Sequence, residues 1–177
     1  MPAFTIRPAT PADIPAITDI YAIEVREKTA TFELTPPDSA EMLRRFSDIS
    51  GKGFPYLVAE QGGVIAGYAY AAPYRARPAY RFTVENSIYL ARAYLRQGIG
   101  SALLSELIAQ SHERGYRQMI AVIGDSANAA SIALHARAGF GMIGTLPNVG
   151  FKFGRWLDSV LMQRALGEGA ASSPPDV

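Results

Sequence analysis

The chain has 177 residues, 49% of them hydrophobic and 19% charged, with a formal net charge of +1. That length suits one globular domain with a sizeable core, and a near-neutral balance without a long basic run argues against a nucleic-acid partner. Cysteine is absent, which excludes disulfides, thiolate metal sites and cysteine nucleophiles, and with His112 and His135 as the two histidines no metal site is expected.

The opening "MPAFTIRPAT" lacks a basic stretch followed by an apolar one, and no segment approaches a membrane span, so a soluble cytoplasmic protein without a membrane partner is expected. "AFTIRP" reads as a first strand. "TPADIPAITDIYAIEVREK" reads as a helix with Thr10 as N-cap, Pro11 at the first helical position and Asp13 in the first turn, burying Ile14, Ile17, Ile20 and Tyr21. "TATFELTPP" is a polar and aromatic loop, and Asp38 with Glu41 resembles a capping box opening a second helix.

"PYLVAEQGGVIAGYAYAAPY" reads as a hairpin around Gln61-Gly62-Gly63. "YRFTVENSIYLA" is a strand rich in aromatic and β-branched residues. A glycine segment then leads into a helix through "SALLSELIAQSHER", with Leu103, Leu104, Leu107 and Ile108 on one face and Gly115 as its stop. "QMIAVIG" is a buried strand, "NAASIALHARAGF" a helix ended by Gly139, and "GMIGTL" and "RWLDSVLMQRAL" the last two strands. Residues 1–166 then form one mixed α/β domain, and the small-residue tail 167–177 is expected to be disordered.

Two stretches carry chemistry. "LRQGIGSALL" places Arg96, Gln97, Gly98 and Gly100 at the head of an apolar helix. A helix start offers free N–H groups and a positive dipole end, and glycine lets an anion approach the backbone. A phosphate-binding Walker loop requires Gly-Lys-Ser/Thr, which is missing, and a dinucleotide fingerprint requires glycine where Leu103 stands. Two readings remain, a turn whose glycines serve backbone geometry alone and a pyrophosphate cradle.

"PYRARPAYRFTVENSIYL" holds Arg75, Arg77 and Arg81 with Tyr74 and Tyr80, then Glu85 in an otherwise apolar strand. Strand alternation puts Arg81, Thr83 and Glu85 on one face and Phe82, Val84 and Asn86 on the other. A half-buried carboxylate can take the proton of an ammonium, and arginine forks can hold an acidic molecule. A solvated glutamate and surface arginines are the plainer alternative.

The glycine segment resembles the pyrophosphate loop of the Gcn5-related N-acetyltransferases, Gln/Arg-x-x-Gly-x-Gly/Ala, with Leu95 in the first place and Gly98 and Gly100 in the last two. "NAASIALHARAGF" resembles that family's Asn-x-x-Ala/Ser-x-x-Leu-Tyr-x-x-x-Gly-Phe helix. "TFELTP", "AYAAPYRARPAYRFTVENSIYL", "LHARAGF" and "GFKFGRWLD" are similar to the phosphinothricin and methionine sulfoximine acetyltransferases within it.

The resemblance implies a mainly antiparallel sheet flanked by helices, the acyl-CoA N-acyltransferase fold, with acetyl-CoA as co-substrate and a homodimer. It implies acetylation of a small acidic amino-acid analogue such as phosphinothricin, methionine sulfoximine or methionine sulfone. By position, Glu85 would be the general base and Phe32, Arg75, Arg77, Tyr80, Asn86 and Ser87 would meet the acceptor. Ile88, Tyr89 and Leu90 would run along the pantetheine arm. Arg96, Gln97, Gly98, Ile99, Gly100 and Ser101 would hold the pyrophosphate, with Asn128 and Ser131 as further cofactor contacts. His135 stands where the family has a tyrosine, as a second catalytic candidate or a structural group. Lys152 and Trp156 are candidates for closing the pocket. Three rivals remain: acetylation of a peptide N-terminus or lysine, a non-catalytic acetyl-CoA-binding module, and an RNA-binding domain using the arginine-tyrosine stretch.

Overall fold

The computed structural model describes residues 3–174. Its first strand, β1 (Thr5–Pro8), is an edge strand, anchored by Arg7, which donates to both oxygens of Asp13 at 2.8 Å and to Glu60 at 2.9 and 3.0 Å. Pro11–Asp13 form a short 3-10 turn, and the Asp13 carboxylate accepts the Thr10 N–H at 2.8 Å. The α-helix therefore starts a turn later than Pro11 suggests, as α1 (Ile14–Glu27), and buries Ile14, Ile17, Ile20 and Tyr21 as its periodicity requires. In α2 (Ser39–Gly51), Asp38 caps the Glu41 N–H at 2.8 Å, while the Glu41 side chain turns outward to Arg44 and Arg45.

Strands β2 (Tyr56–Gln61) and β3 (Val64–Pro73) form the hairpin, turning through Gly62 and Gly63 at φ 61° and 79°, the left-handed pair that a tight hairpin requires. β4 (Thr83–Leu90) pairs antiparallel with β3. The chain crosses over through α3 (Ile99–Glu113) to β5 (Gln118–Gly124), which lies parallel to β4. After α4 (Ala129–Arg137) come β6 (Gly141–Lys152) and β7 (Arg155–Ala165). The sheet order is β1-β2-β3-β4-β5-β7-β6, antiparallel everywhere except β4–β5.

Two departures from the sequence reading concern this framework. β6 continues well past "GMIGTL" to Lys152, with its register broken between Leu146 and Gly150, where Pro147 withholds a donor; an edge strand tolerates that. Residues 167–174 run in turns, with Arg117 donating to Ser172 and Ser173 and the Leu166 N–H to Arg117; residues 175–177 lie outside the described residues.

Alternation along the strands builds two cores. Leu57, Ala69, Ala71, Val84, Met119, Ala121 and Val160 face α3 with its buried Leu103, Leu104 and Leu107. Tyr56, Val58 and Tyr68 face α1 and α2. β4 and β5 share only the pairs from Thr83–Gln118 to Asn86–Ala121. Beyond them β4 stays with β3 as far as Leu90 and β5 with β7 as far as Gly124, so the sheet opens in its middle.

Candidate active site

The opening between β4 and β5 is a cleft of about 760 Å³, lined on one bank by Asn86, Ser87, Ile88, Tyr89 and Leu90 and on the other by residues 121–125. The start of α3 (Gly98, Gly100, Ser101), one side of α4 from its cap to its last turn (Asn128, Ser131, His135) and the end of α1 (Glu24, Lys28, Thr29) close it. Ala91 gives its N–H to Ala66 of β3 at 2.9 Å. Strand alternation then points the N–H groups of Leu90 and Ile88 the other way, into the cleft, where no β5 partner takes them. A strand edge with free amides suits an extended ligand that carries amide groups of its own.

At the head of α3 two residues adopt left-handed backbone, Arg96 at φ 61° and Gly98, the N-cap, at φ 85°. Positive φ in a non-glycine residue is uncommon and concentrates at ligand sites. Left-handed residues beside a helix N-terminus are the backbone form in which successive N–H groups can make a concavity suited to an anion. Gly100 packs so that a Cβ would lie 3.3 Å from Leu90 Cδ1, which keeps α3 close to β4. Not every residue of the segment contributes a side chain. Ile99 is buried in the core and can offer only backbone, and Gln97 turns one N–H of its amide back to the Ala93 carbonyl at 3.0 Å. Asn128 caps α4, accepting the Ser131 N–H at 3.2 Å, which leaves its amide N–H₂ without that duty.

Glu85 sits on the α1/α2 face of β4, opposite Ala72 of β3 and adjacent to the point where β4 and β5 part. Burial raises the pKa of its carboxyl above the ordinary value, and the positive charge of Arg75 acts in the opposite direction. Of the "RAR" pair, Arg75 is the arginine whose charge reaches Glu85, without a direct ion pair, while its guanidinium lies 5.1 Å from the Tyr74 ring centroid. Arg77 opens the 3-10 turn Pro78–Tyr80 and is exposed, and Tyr80 packs edge-on against Tyr74 at 5.7 Å on the same loop. Arg81 is not on the strand face of Glu85: it precedes β4, exposed, with its guanidinium 4.6 Å from the Phe82 ring centroid. The turn at Pro78 ends the alternation that the sequence implies.

Ser87 is the cross-strand partner of Tyr70. Burial raises the pKa of the Tyr70 phenol, and the charges of Glu85 and Glu33 add to that rise. Glu33 therefore belongs to the same side of the sheet as Glu85. It anchors the loop between α1 and α2: Tyr21 donates to Glu33 at 2.9 Å and contacts Thr31 at 2.8 Å, and Arg45 donates to Glu33 at 2.6 Å. Phe32, between them, lays its ring against Gly124 and Gly150.

His135 is 4% exposed. Its Nδ1 lies 2.8 Å from the Ser131 carbonyl and its Nε2 2.9 Å from the Asn86 side-chain oxygen, while Asn86 donates to the Ile120 carbonyl at 3.1 Å. Burial lowers its pKa below the usual histidine value, against the Ser131 contact. Lys152 is buried and points inward. Trp156 is exposed and packs edge-on against Phe151 at 5.2 Å, at the surface of the β6–β7 hairpin.

The sequence reading missed Asp125, held in left-handed backbone at φ 73° and paired with Arg155 at 2.5 Å on the cleft wall. The signal available was an aspartate directly after an apolar strand ending in glycine. It also missed Glu24, Lys28 and Thr29, since nothing in a helix C-terminus marks it as a cleft wall. Among the described residues no group of three or more His, Asp or Glu is placed to hold a metal, and no helix is long and apolar enough to cross a membrane.

Residues 17–140 match the model of the acetyltransferase (GNAT) family. The chain is 52% identical over 172 residues to a phosphinothricin N-acetyltransferase of Alcaligenes faecalis, covering 97% of this chain and 87% of that protein. It is 42% identical over 167 residues to an L-methionine sulfoximine/L-methionine sulfone acetyltransferase of Salmonella typhimurium, covering 94% and 97%. The fold matches the crystal structure of a phosphinothricin acetyltransferase of Sinorhizobium meliloti in complex with acetyl-CoA, with a TM-score of 0.95, 51% identity and coverage of 99% and 95%. The parted β4 and β5, the anion-ready start of α3 and a sequence match across most of the length agree: this chain belongs to the acetyltransferase (GNAT) family.

Proposed function

We propose that the protein transfers the acetyl group of acetyl-CoA to the α-amine of a small acidic amino-acid analogue, with phosphinothricin, methionine sulfoximine and methionine sulfone as the acceptor class. The relatives that act on these compounds, by their names, span nearly the whole chain. The observation that carries the reading is Glu85, a half-buried carboxyl with a raised pKa and Arg75 as its cationic neighbour, beside the cleft where β4 and β5 part.

The cleft fits acetyl-CoA. The left-handed backbone at Arg96 and Gly98 suits the pyrophosphate, with Gln97, Ile99, Gly100 and Ser101 completing the turn, and the free strand edge at Ile88–Leu90 suits the pantetheine amides. Asn128 and Ser131 lie on the facing wall. In the reaction the acceptor's nitrogen forms a bond to the acetyl carbon while the carbon–sulfur bond breaks. Glu85 takes the proton that the ammonium must lose, directly or through a water, and the Leu90 N–H meets the oxyanion; the nitrogen gives up its second proton to solvent as the amide forms, and coenzyme A leaves as thiolate to be protonated from solvent. Arg75 and Arg77 supply charge for the acceptor's acidic groups, with Phe32, Tyr80 and Ser87 around them, while Asn86, buried on the other face of β4 and hydrogen-bonded to His135 and the Ile120 carbonyl, contributes by holding the strand. His135 serves this reading by holding Asn86, since both its nitrogens already face partners.

The edge strand β6 exposes the apolar side chains Met142, Ile143, Leu146, Val149 and Phe151, with Trp156 of β7 opposite Phe151, and an apolar edge of this kind suits a second copy of the chain. The reading therefore includes a cytoplasmic homodimer that detoxifies such analogues. Release of coenzyme A from acetyl-CoA with the three analogues, common amino acids and a lysine peptide tests the acceptor class. Saturable turnover confined to the analogues supports it, and turnover with the peptide alone contradicts it. Sedimentation velocity tests the dimer.

A further inference from the structure

Lys152, at the end of β6, is 3% exposed although both its neighbours, Phe151 and Phe153, are exposed. Its Nζ donates to two backbone carbonyls, Lys28 at 2.7 Å and Thr31 at 2.8 Å. Lys28 caps the C-terminus of α1, where carbonyls lack partners within the helix. A lysine is seldom buried without a carboxylate in direct contact, because losing hydration disfavours its charge. Here two carbonyls receive it, the Phe153 ring centroid lies 4.9 Å from the nitrogen, and Glu24 and Glu33 offset part of the burial effect.

The segment so held is the one that walls the cleft. Thr29 and Ala30, between the two carbonyls, line it, and Phe32 follows Thr31 in the chain. The loop has no clearance on the sheet below. A Cβ at Gly150 would lie 2.5 Å from Phe32 Cε2, and a Cβ at Gly124 would overlap the Thr29 carbonyl oxygen and lie 3.0 Å from Phe32 Cε1. From the other side Tyr21 and Arg45 hold Thr31 and Glu33. Lys152 thus adds side-chain hydrogen bonds from the far end of the sheet to a loop that Tyr21 and Arg45 hold from α1 and α2 and that packs on Gly124 and Gly150.

We propose that Lys152 is a positioning residue for the acceptor: by holding the Lys28 and Thr31 carbonyls it fixes residues 28–33, and with them Phe32, over the acceptor side of the cleft. This rests on the reading of Phe32 as an acceptor wall. Lys152 touches neither the cradle at the head of α3 nor the free edge of β4, although Thr29 and Ala30 of the held segment line the same cleft, so its loss bears more on the acceptor than on acetyl-CoA.

The test compares Lys152→Met with the parent enzyme for KM of both substrates, for kcat, and for amide deuterium uptake at residues 28–33 without substrates. The expected result is an acceptor KM raised about tenfold or more, with kcat and the acetyl-CoA KM within about twofold, and faster uptake confined to 28–33. Gly150→Ala leaves Lys152 in place and displaces Phe32, and it should give the same KM split; it carries the test if Lys152→Met does not fold. Unchanged uptake at 28–33, or equal rises in both KM values, overturns the proposal. If the parent enzyme turns over none of the analogues, the acceptor reading has failed, and the uptake measurement still decides whether Lys152 fixes the loop.

Discussion

The Nε2 of His135 lies 2.9 Å from the side-chain oxygen of Asn86, at the last residue pair that β4 and β5 share. The Ile120 carbonyl, 3.1 Å from the Asn86 amide nitrogen, sets which way that amide faces. With the Ser131 carbonyl at Nδ1, acceptors flank both ring nitrogens, and only a doubly protonated ring satisfies both. Burial opposes that charge and lowers the pKa. Asn86→Asp would put a carboxylate at the same place and tip the balance toward the imidazolium. The His135 pKa, followed by NMR of the ring protons, should rise above the ordinary value of 6.5. His135→Ala leaves a buried Asn86 oxygen unpaired and should cost about 1–3 kcal/mol of stability in denaturant unfolding.

Glu85 should be a residue whose removal harms activity and not stability. Burial disfavours its ionised form, so the folded state binds the proton more tightly than the unfolded state does. Its contribution to stability is then greatest at low pH, and it is lost as pH rises from the ordinary carboxylate value of 4.5 to the raised folded value. Glu85→Gln removes that loss. Thermal unfolding at pH 7 should give a Tm equal to or above that of the parent, and below pH 4 the two curves should converge.

Gly98 stands at φ 85° with nothing within 4 Å of the place a Cβ would occupy, so the objection to a larger residue there is backbone strain and not a clash. Gly98→Ala should cost about 1–2 kcal/mol in a left-handed conformation that L-residues avoid. If the head of α3 is the cradle, the acetyl-CoA KM should rise and the acceptor KM stay constant, the reverse of the split expected for Lys152→Met. Steady-state kinetics with each substrate varied in turn separates the two.

Much of this framework was legible because its signals are local. The spacing of Ile14, Ile17, Ile20 and Tyr21, and of Leu103, Leu104 and Leu107, specified the buried helix faces. Gly62-Gly63 specified the hairpin, and Gly115 and Gly139, at φ 85° and 83°, ended their helices. What stayed hidden depends on remote partners. Lys152 reads as one more surface lysine until its carbonyls, 121 and 124 residues earlier, are in view. Gly124 and Gly150 look like ordinary strand glycines, and only the Phe32 ring explains them. Asp125 waits on Arg155, 30 residues later. The long β6 was hidden by Pro147 and Gly150, which break the alternation that marks a strand but not the pairing with β7. Arg81 shows the opposite error, alternation extended one turn too far.

The central claim is that the Glu85 carboxylate takes the amine's proton. Its most direct test is kcat/KM for the best acceptor at saturating acetyl-CoA, measured between pH 5 and 9 for the parent and for Glu85→Gln. The account predicts an acid limb in the parent that falls as Glu85 is protonated, at a pH above 4.5. In the variant it predicts a loss of about 100-fold or more near pH 7, with part of the rate recovered at high pH, where the amine is already neutral. A variant that keeps the parent's rate and acid limb at pH 7 would contradict it.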